Sequence, residues 1–314
     1  MSEGRQENPG SLRLRLPASS ANLGSGFDAA AVALDFYLEI DAAPATEFSI
    51  TATGRNSEHI ARLENNLLLD IYKGLLESNG RPVTPLAIRM NNEIPLGMGC
   101  GSSAAGRLAA IALAVHFGGL GWSSERIVEE ASALEGHPDN ASACWLGGFV
   151  AAACEGRTVH VARVTPPEEW RAIVVTPREP LATSKARAML PDCYPREDVV
   201  ANIQSAALLG LAFAQGRGDL LRIAMQDRVH QPYRAPICAL LPPLLALAGE
   251  HGILGAALSG AGPSVLVIVA SEESLPGAAA AIQAALAGGP EPEFKLCRFE
   301  LGGAGKSFEM ARAV

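Results

Sequence analysis

The sequence predicts a mixed α+β fold built in two units. Strand-like and helical stretches follow one another without the regular alternation that a doubly wound parallel sheet requires. The double proline Pro166-Pro167 interrupts the chain near its middle, and such a pair suits a boundary because neither residue can continue a helix or a ladder. A chain of 314 residues, 48% hydrophobic and 18% charged, can bury the cores of two ordinary domains and is not a disordered composition. The expected units are 1–166 and 167–314.

In the first unit Leu12 to Leu16 alternates Leu and Arg strictly, as a strand with one buried face does, and is expected to stop at Pro17. Ala31 to Ile40 and Glu47 to Ala52 read as further strands. Asn65 to Ser78 has helical spacing and ends at Gly80, and Leu86 to Met90 is strand-like. The run of Ala, Leu, Ile and Val from Ser102 to Phe117 reads as a buried helix closed by Gly118-Gly119. Ser123-Ser124-Glu125 caps another helix that reaches Leu134, and a short one spans Asn140 to Trp145. Phe149 to Ala153 and Val159 to Val164 flank the Glu155-Gly156 turn as two strands. In the second unit Ala172 to Thr176 and Val265 to Ala270 read as strands. Helices are expected near Val199–Gln215, Leu220–Asp227, Leu240–His251 and Leu275–Ala287.

Charge narrows the partners. With 25 basic and 33 acidic residues the net charge is −8, which argues against nucleic acid or an anionic membrane as the main partner. Only four of the basic residues are lysines (Lys73, Lys185, Lys295, Lys306), so arginines and backbone N–H groups must do most of any anion binding. The six cysteines show no CxxC spacing and read as free, mostly buried thiols of a reducing compartment. The histidines form no metal-ligand pattern that would hold a structural zinc. The polar N-terminus has no signal-peptide character, and no apolar run is long enough to span a bilayer. The expectation is a cytoplasmic protein.

The segment from Pro95 to Ala105 carries the strongest local signal. Gly97, Gly99 and Gly101 stand at every second position, where the backbone can adopt φ > 0 and approach a ligand without a Cβ. Ser102 and Ser103 then open a helix, so its first N–H groups and its dipole face whatever the loop encloses, an arrangement that favours phosphate. Either serine hydroxyl suits Mg²⁺. A Walker A loop is excluded, because no lysine is near. The run Gly99-x-Gly101-x-x-Ala104 meets a loose dinucleotide fingerprint, but a helix follows where a strand is required. The bland alternative is a helix N-terminus against a tight turn.

Two further small-residue loops raise the weight of the first: Pro17 to Asp28 (PASSANLGSGFD) and Leu258 to Ser264 (LSGAGPS). Three such loops imply one cleft lined by backbone. Glu135-Gly-His137-Pro-Asp139-Asn140 packs four polar side chains just before an apolar helix, with a plain N-cap at Asp139 or Asn140 as the alternative. Thr183 to Arg187 and Asp227 to Arg234 supply the arginines that fix a substrate carboxylate, if the substrate has one.

Together these motifs resemble the GHMP kinase superfamily. PASSANLGSGFD, PLGMGCGSSAA and LSGAGPS match its three motifs in order, and EGHPDN, TSKARAMLP and DRVHQPYR are similar to the versions in its homoserine-phosphorylating branch. The matches span residues 17 to 264. Cys100 stands where the superfamily usually has Leu, and as a small apolar residue it should preserve the loop. The resemblance implies an N-terminal ATP-binding domain of the ribosomal protein S5 domain 2-like fold, a ferredoxin-like C-terminal domain and a cleft between them. It implies ATP and Mg²⁺ as cofactors, L-homoserine as the phosphate acceptor, a step of threonine biosynthesis, and often a homodimer.

It also implies site residues. Pro95, Gly97, Gly99, Gly101, Ser102 and Ser103 would wrap the triphosphate, and Asn66 would help seat the adenine. Ser103 and Glu135 would hold Mg²⁺. Asp28 would take the ammonium of homoserine, and Arg187 and Arg234 its carboxylate, with Asn22, His137 and Thr183 completing the contacts. Asp139, Asn140, Thr183 and Arg187 stand nearest the chemistry. Asp139 is open between a general base, as in mevalonate-type relatives, and a structural carboxylate in a site where Asn140 lies near the hydroxyl. The rival functions are a GHMP kinase for another small alcohol, such as mevalonate or shikimate, and a non-catalytic ligand sensor of the same fold.

Overall fold

The computed structural model describes residues 10–312, with the side chains of Thr183 and Met310–Arg312 outside the description. The first sheet contains β1 (Leu12–Asn22), β2 (Gly26–Pro44) and β3 (Ser49–Gly54); α1 (Ser57–Ile60) and α2 (Leu67–Ser78) precede β4 (Leu86–Asn92). Three helices follow, α3 (Ser102–Phe117), α4 (Ser124–Glu135) and α5 (Asp139–Leu146), and then β5 (Phe149–Glu155) and β6 (Thr158–Val164) complete the sheet. The alternation of Leu12, Leu14 and Leu16 is realised, with all three fully buried. Leu14 stands opposite Ile40 and Leu16 opposite Leu38 on β2.

The strand does not stop at Pro17, as expected, but runs on to Asn22. A register shift at Pro17/Ala18 accommodates the residue that has no N–H to give. From Leu16 onward both faces are buried, which is why the alternation fades there although the strand continues. The long strand β2 pairs with β1 along most of its length, with β4 at its C-terminal half and with β5 at its N-terminal half. Among the described residues only β3 and β4 run parallel.

The second sheet is β7 (Arg171–Thr176), β8 (Ile253–Leu258), β9 (Val265–Val269) and β10 (Glu293–Cys297). Between β7 and β8 lie α6 (Thr183–Arg187), α7 (Arg196–Gln215), α8 (Gly218–Ala224), α9 (Gln231–Arg234) and α10 (Leu241–Leu245); α11 (Leu275–Ala285) joins β9 to β10, and α12 (Gly303–Arg312) ends the chain. The order β10-β7-β9-β8 with every pair antiparallel is the arrangement of a ferredoxin-like unit, so the fold class is the expected one. The helix expected over Leu240–His251 shrinks to Leu241–Leu245, because Gly249 and Gly252 take φ of 93° and 78° in the turns that follow. Two strands are not among those expected: β10, five residues long with charged Glu293 and Lys295, and β8, whose apolar run carries Gly255 and two alanines; sheet pairing defines both.

Two features join the halves. One continuous apolar core includes Phe149 of β5, Phe213 of α7, Trp170 and Phe299, and Phe213 stacks on Phe149 with ring centroids 4.3 Å apart. The chain also returns across the first sheet: Glu300 N–H donates to Ala33 O and Gly148 N–H to Glu300 O. Helix α12 then sets Phe308 beside Trp145. Gly303 and Gly305 permit that approach, since a Cβ on either would meet Trp145.

Candidate functional site

The three glycine-bearing segments interlock, as their chemistry predicts. Gly97, Gly99 and Gly101 have φ of 68°, 77° and 73°, values that L side chains rarely adopt. A Cβ on Gly99 would run into the carbonyl of Ser259, and one on Gly101 into the hydroxyl of Ser19. Ser259 Oγ lies 2.7 Å from Gly99 O and 2.8 Å from Ser20 Oγ. Ser19 N–H donates to Cys100 O at 3.1 Å and Gly260 N–H to Ala21 O at 3.0 Å. Cys100 is buried, and burial pushes its thiol up to about 12, so it packs as the small apolar residue expected.

This knot leaves two cavities that meet at Ser102 and Ser103, on the first turn of α3. The first, about 290 Å³, is walled by Ile60, Leu67, Leu68, Met90, Ile94 and Leu96. Asn66 lines it too, but every hydrogen-bonding valence of its side chain is used within the fold. Its oxygen caps α2 by accepting from Leu68 N–H and Leu69 N–H, and its nitrogen donates to Ile60 O and Arg62 O. Asn66 therefore shapes the wall and offers no free bond to a base. Pro95 lines neither cavity and sits instead in a separate recess with Arg55 and Arg178.

The second cavity, about 130 Å³, is polar and brings together Asn22, Asp28, Gly97, Gly99, Gly101, Glu135, His137, Asp139, Asn140, Arg187 and Arg234. Asp28 and Arg187, expected on opposite ends of a substrate, are joined here by a bidentate pair of 3.1 and 2.7 Å. Asp28 has φ of 53°, and its N–H is held by Asn22 Oδ1 at 2.9 Å. The amide of Asn22 donates to Gly260 O at 2.7 Å, so this residue braces the cleft wall. Thr183 opens α6, and its side chain lies outside the described residues.

The Glu-His-Asp-Asn cluster does not cap α5 with its side chains; Pro138 holds the N-cap position. Asp139 is 1% exposed, and its Oδ1 lies 2.6 Å from His137 Nδ1 and accepts from Asn140 N–H at 2.7 Å. Burial alone would lower the His137 pKa. The hydrogen bond and charge of Asp139, with the charges of Asp28 and Glu135, outweigh it and raise the imidazole above its ordinary value. Asn140 Oδ1 accepts from Ser19 Oγ at 2.8 Å.

Arg234, 1% exposed, donates to Ala186 O at 3.2 Å and reaches His230 Nδ1 at 3.2 Å. His230 Nε2 lies 2.9 Å from Gly24 O, which fixes the neutral tautomer with hydrogen on Nε2 and a lone pair toward Arg234. Burial lowers the pKa of His230, with the charge of Arg234 acting in the same direction. Asp227 accepts from the N–H groups of Val229, His230 and Gln231, so the expected helix through Asp227 ends early and this carboxylate folds the turn.

Sequence reasoning missed Phe27, which stacks on His230 and lies under both Arg187 and Arg234. It also missed Ser19 and Arg107. Arg107 stands four residues after Ser103 on one face of α3, a spacing that was readable, and it donates to both Ser103 Oγ and Glu135 Oε1.

Comparison with known proteins identifies the family. Residues 66–148 match the model of the GHMP kinases N-terminal domain and residues 211–288 that of the GHMP kinases C-terminal domain. The chain is 44% identical over 257 residues to the homoserine kinase of Solibacter usitatus, covering 82% of this chain and 84% of that one. It is 40% identical over 253 residues to that of Deinococcus radiodurans, covering 81% and 82%. Among solved structures, homoserine kinase from Cytophaga hutchinsonii shares the fold with a TM-score of 0.79 at 23% identity, over 96% of this chain and 98% of that one. Mevalonate kinase of L. major in complex with R-mevalonate superposes with a TM-score of 0.71 at 15% identity, over 95% and 98%.

Proposed function

The chain belongs to the homoserine kinase family of the GHMP kinases, and from that footing we propose how its cleft moves the γ-phosphate of ATP to the side-chain hydroxyl of L-homoserine. The products are O-phospho-L-homoserine and ADP, in a step of threonine biosynthesis. One observation carries the reading: an apolar cavity and a charged one meet at the first turn of a sixteen-residue helix. Adenine suits the first, the triphosphate suits the α3 N-terminus, and the acceptor suits the second.

Among the described residues no lysine lines either cavity. The attraction for phosphate therefore comes from main-chain N–H groups of the Gly97–Ser103 loop and from the α3 dipole. Glu135 and Ser103 would supply the hard oxygen donors that Mg²⁺ takes, and the guanidinium that bridges them supports the reading of this pair as a place for positive charge. Bound there, Mg²⁺ would neutralise phosphate charge that builds up during transfer.

Homoserine is a zwitterion, and the Asp28–Arg187 pair is its complement. The entering ammonium takes Arg187's place at Asp28, and the carboxylate takes Asp28's place at Arg187, so each group exchanges one opposite charge for another. Arg234 adds a second guanidinium on the same wall. Asn22 and His137, which line the same cavity, would complete the contacts, and Asn140 would stand beside the hydroxyl. Asp139 has its Oδ1 engaged by His137 and the Asn140 N–H, which favours a positioning carboxylate over a general base.

The test is product identification with Mg·ATP and a panel of homoserine, mevalonate and shikimate, run on the native chain and on Arg187→Ala. O-phosphohomoserine should form with the native chain, and Arg187→Ala should lose on the order of 10²-fold in kcat/KM for homoserine. ADP release with mevalonate but not homoserine would overturn the substrate, and full efficiency in Arg187→Ala would overturn the clamp.

A further inference from the structure

Glu135 already holds a cation at one of its oxygens. Oε1 accepts from Arg107 Nη1, and Oε2 lies 3.8 Å from His137 Nε2. The same Arg107 nitrogen also donates to Ser103 Oγ. The Arg107 side chain is 20% exposed and that of Glu135 9%, so the pair is largely withdrawn from water, and an incoming ion meets the guanidinium at Oε1. An arginine serving only to tie α3 to α4 would need the carboxylate alone. This one also takes the hydroxyl at the mouth of the nucleotide cleft, so it spans the two donors assigned above to the metal.

We propose that Arg107 is a placeholder cation, which holds Ser103 and Glu135 together in the nucleotide-free cleft and keeps free divalent ions off them, so that a metal enters only with a nucleotide. The inference rests on the assignment of Ser103 and Glu135 to the metal. A free divalent ion must expel a hydrogen-bonded guanidinium from a poorly solvated carboxylate and offers it nothing in return. A metal–nucleotide complex carries net negative charge, and its phosphate oxygens can accept the released guanidinium. The exchange is then one ion pair for another, as at Asp28 and Arg187, and both ends of the cleft are closed by internal pairs that only the correct ligands replace.

Mn²⁺ binding, followed by the electron paramagnetic resonance of the free ion, tests this on the whole chain. In the absence of nucleotide, Arg107→Met and Arg107→Gln should bind Mn²⁺ at least about tenfold more tightly than the native chain. Arg107→Lys, which keeps the charge at the same helix position, should remain closed to the ion. With a non-hydrolysable ATP analogue present, native chain and variants should bind Mn²⁺ within about threefold of one another. Melting curves identify which variants are folded, and the two neutral substitutions give two chances of a folded protein. Equal, weak Mn²⁺ binding by native chain and neutral variants without nucleotide, with normal binding in the analogue complex, would overturn the placeholder while sparing the metal site. If Glu135→Gln bound Mn²⁺ as well as the native chain in the analogue complex, the metal assignment itself would fall, and the inference with it.

Discussion

His137 shows how a single side chain acquires its charge from its surroundings. Burial opposes the imidazolium, yet Asp139 at 2.6 Å, with Asp28 and Glu135 behind it, raises its pKa. A histidine whose folded pKa lies above its unfolded value stabilises the fold fully below about pH 6.5, and loses that contribution as pH climbs through the folded value. In Asp139→Asn the imidazole should titrate at lower pH than in the native chain, which NMR of the ring protons would measure. The gain in stability on acidification should shrink with it. An unchanged titration would mean that the Asp139 contact does not hold the proton. His230, whose pKa is lowered by burial, works in the opposite sense. The unfolded chain takes up its proton as pH falls below about 6.5 while the folded chain resists, so stability declines on that side.

At the scale of the element, the glycine loop is held by what it touches. Gly99 and Gly97 share a positive φ, but their surroundings differ. A Cβ on Gly99 would strike the Ser259 carbonyl, whereas one on Gly97 would meet only the Pro180 ring at 3.3 Å. Both alanine variants carry the backbone strain of about 1–3 kcal/mol, and Gly99→Ala must also push the Leu258–Ser264 turn away. Gly99→Ala should therefore melt lower than Gly97→Ala and raise the KM for ATP at least about tenfold more, as thermal denaturation and steady-state kinetics would reveal. Equal effects would show that the interlock with Ser259 contributes little. The helix behind the loop needs the same closeness: Leu108 to Val115 are buried without a break, and its alanines let neighbours pack on every side.

Across the whole molecule, the two sheets share one core, and Phe213 stands at its centre. It is 1% exposed, stacked on Phe149 and edge-on to Trp170 and Phe299. Phe213→Ala should cost about 3–5 kcal/mol by denaturant titration. Because the cavity would open between the halves, both should still unfold together, with circular dichroism and tryptophan fluorescence giving superimposable curves. Two separated transitions would mean that the halves are stable on their own. The apolar seam also fixes the distance across the cleft, since Asp28 belongs to β2 of the first sheet and Arg187 to α6, beyond it in the chain.

The sequence by itself determined what local rules control: the α3 start at Ser102, the positive φ of the three glycines, the buried face of β1, and the residue types that a phosphate-transferring cleft needs. Those features depend on backbone sterics and on spacing within a few residues, and they survive without knowledge of the partner. Only the tertiary structure decided that Asp28 faces Arg187 across 159 positions, that Arg107 stands between Ser103 and Glu135, and that Asn66 spends its hydrogen bonds on the start of α2 and on the carbonyls of Ile60 and Arg62. It also decided that α12, poor in helix formers at its glycine-rich start, folds against Trp145. Charge pairs and close approaches of this kind are set by strand register and by how the two sheets dock, and neither is written in the order of residues along any one segment.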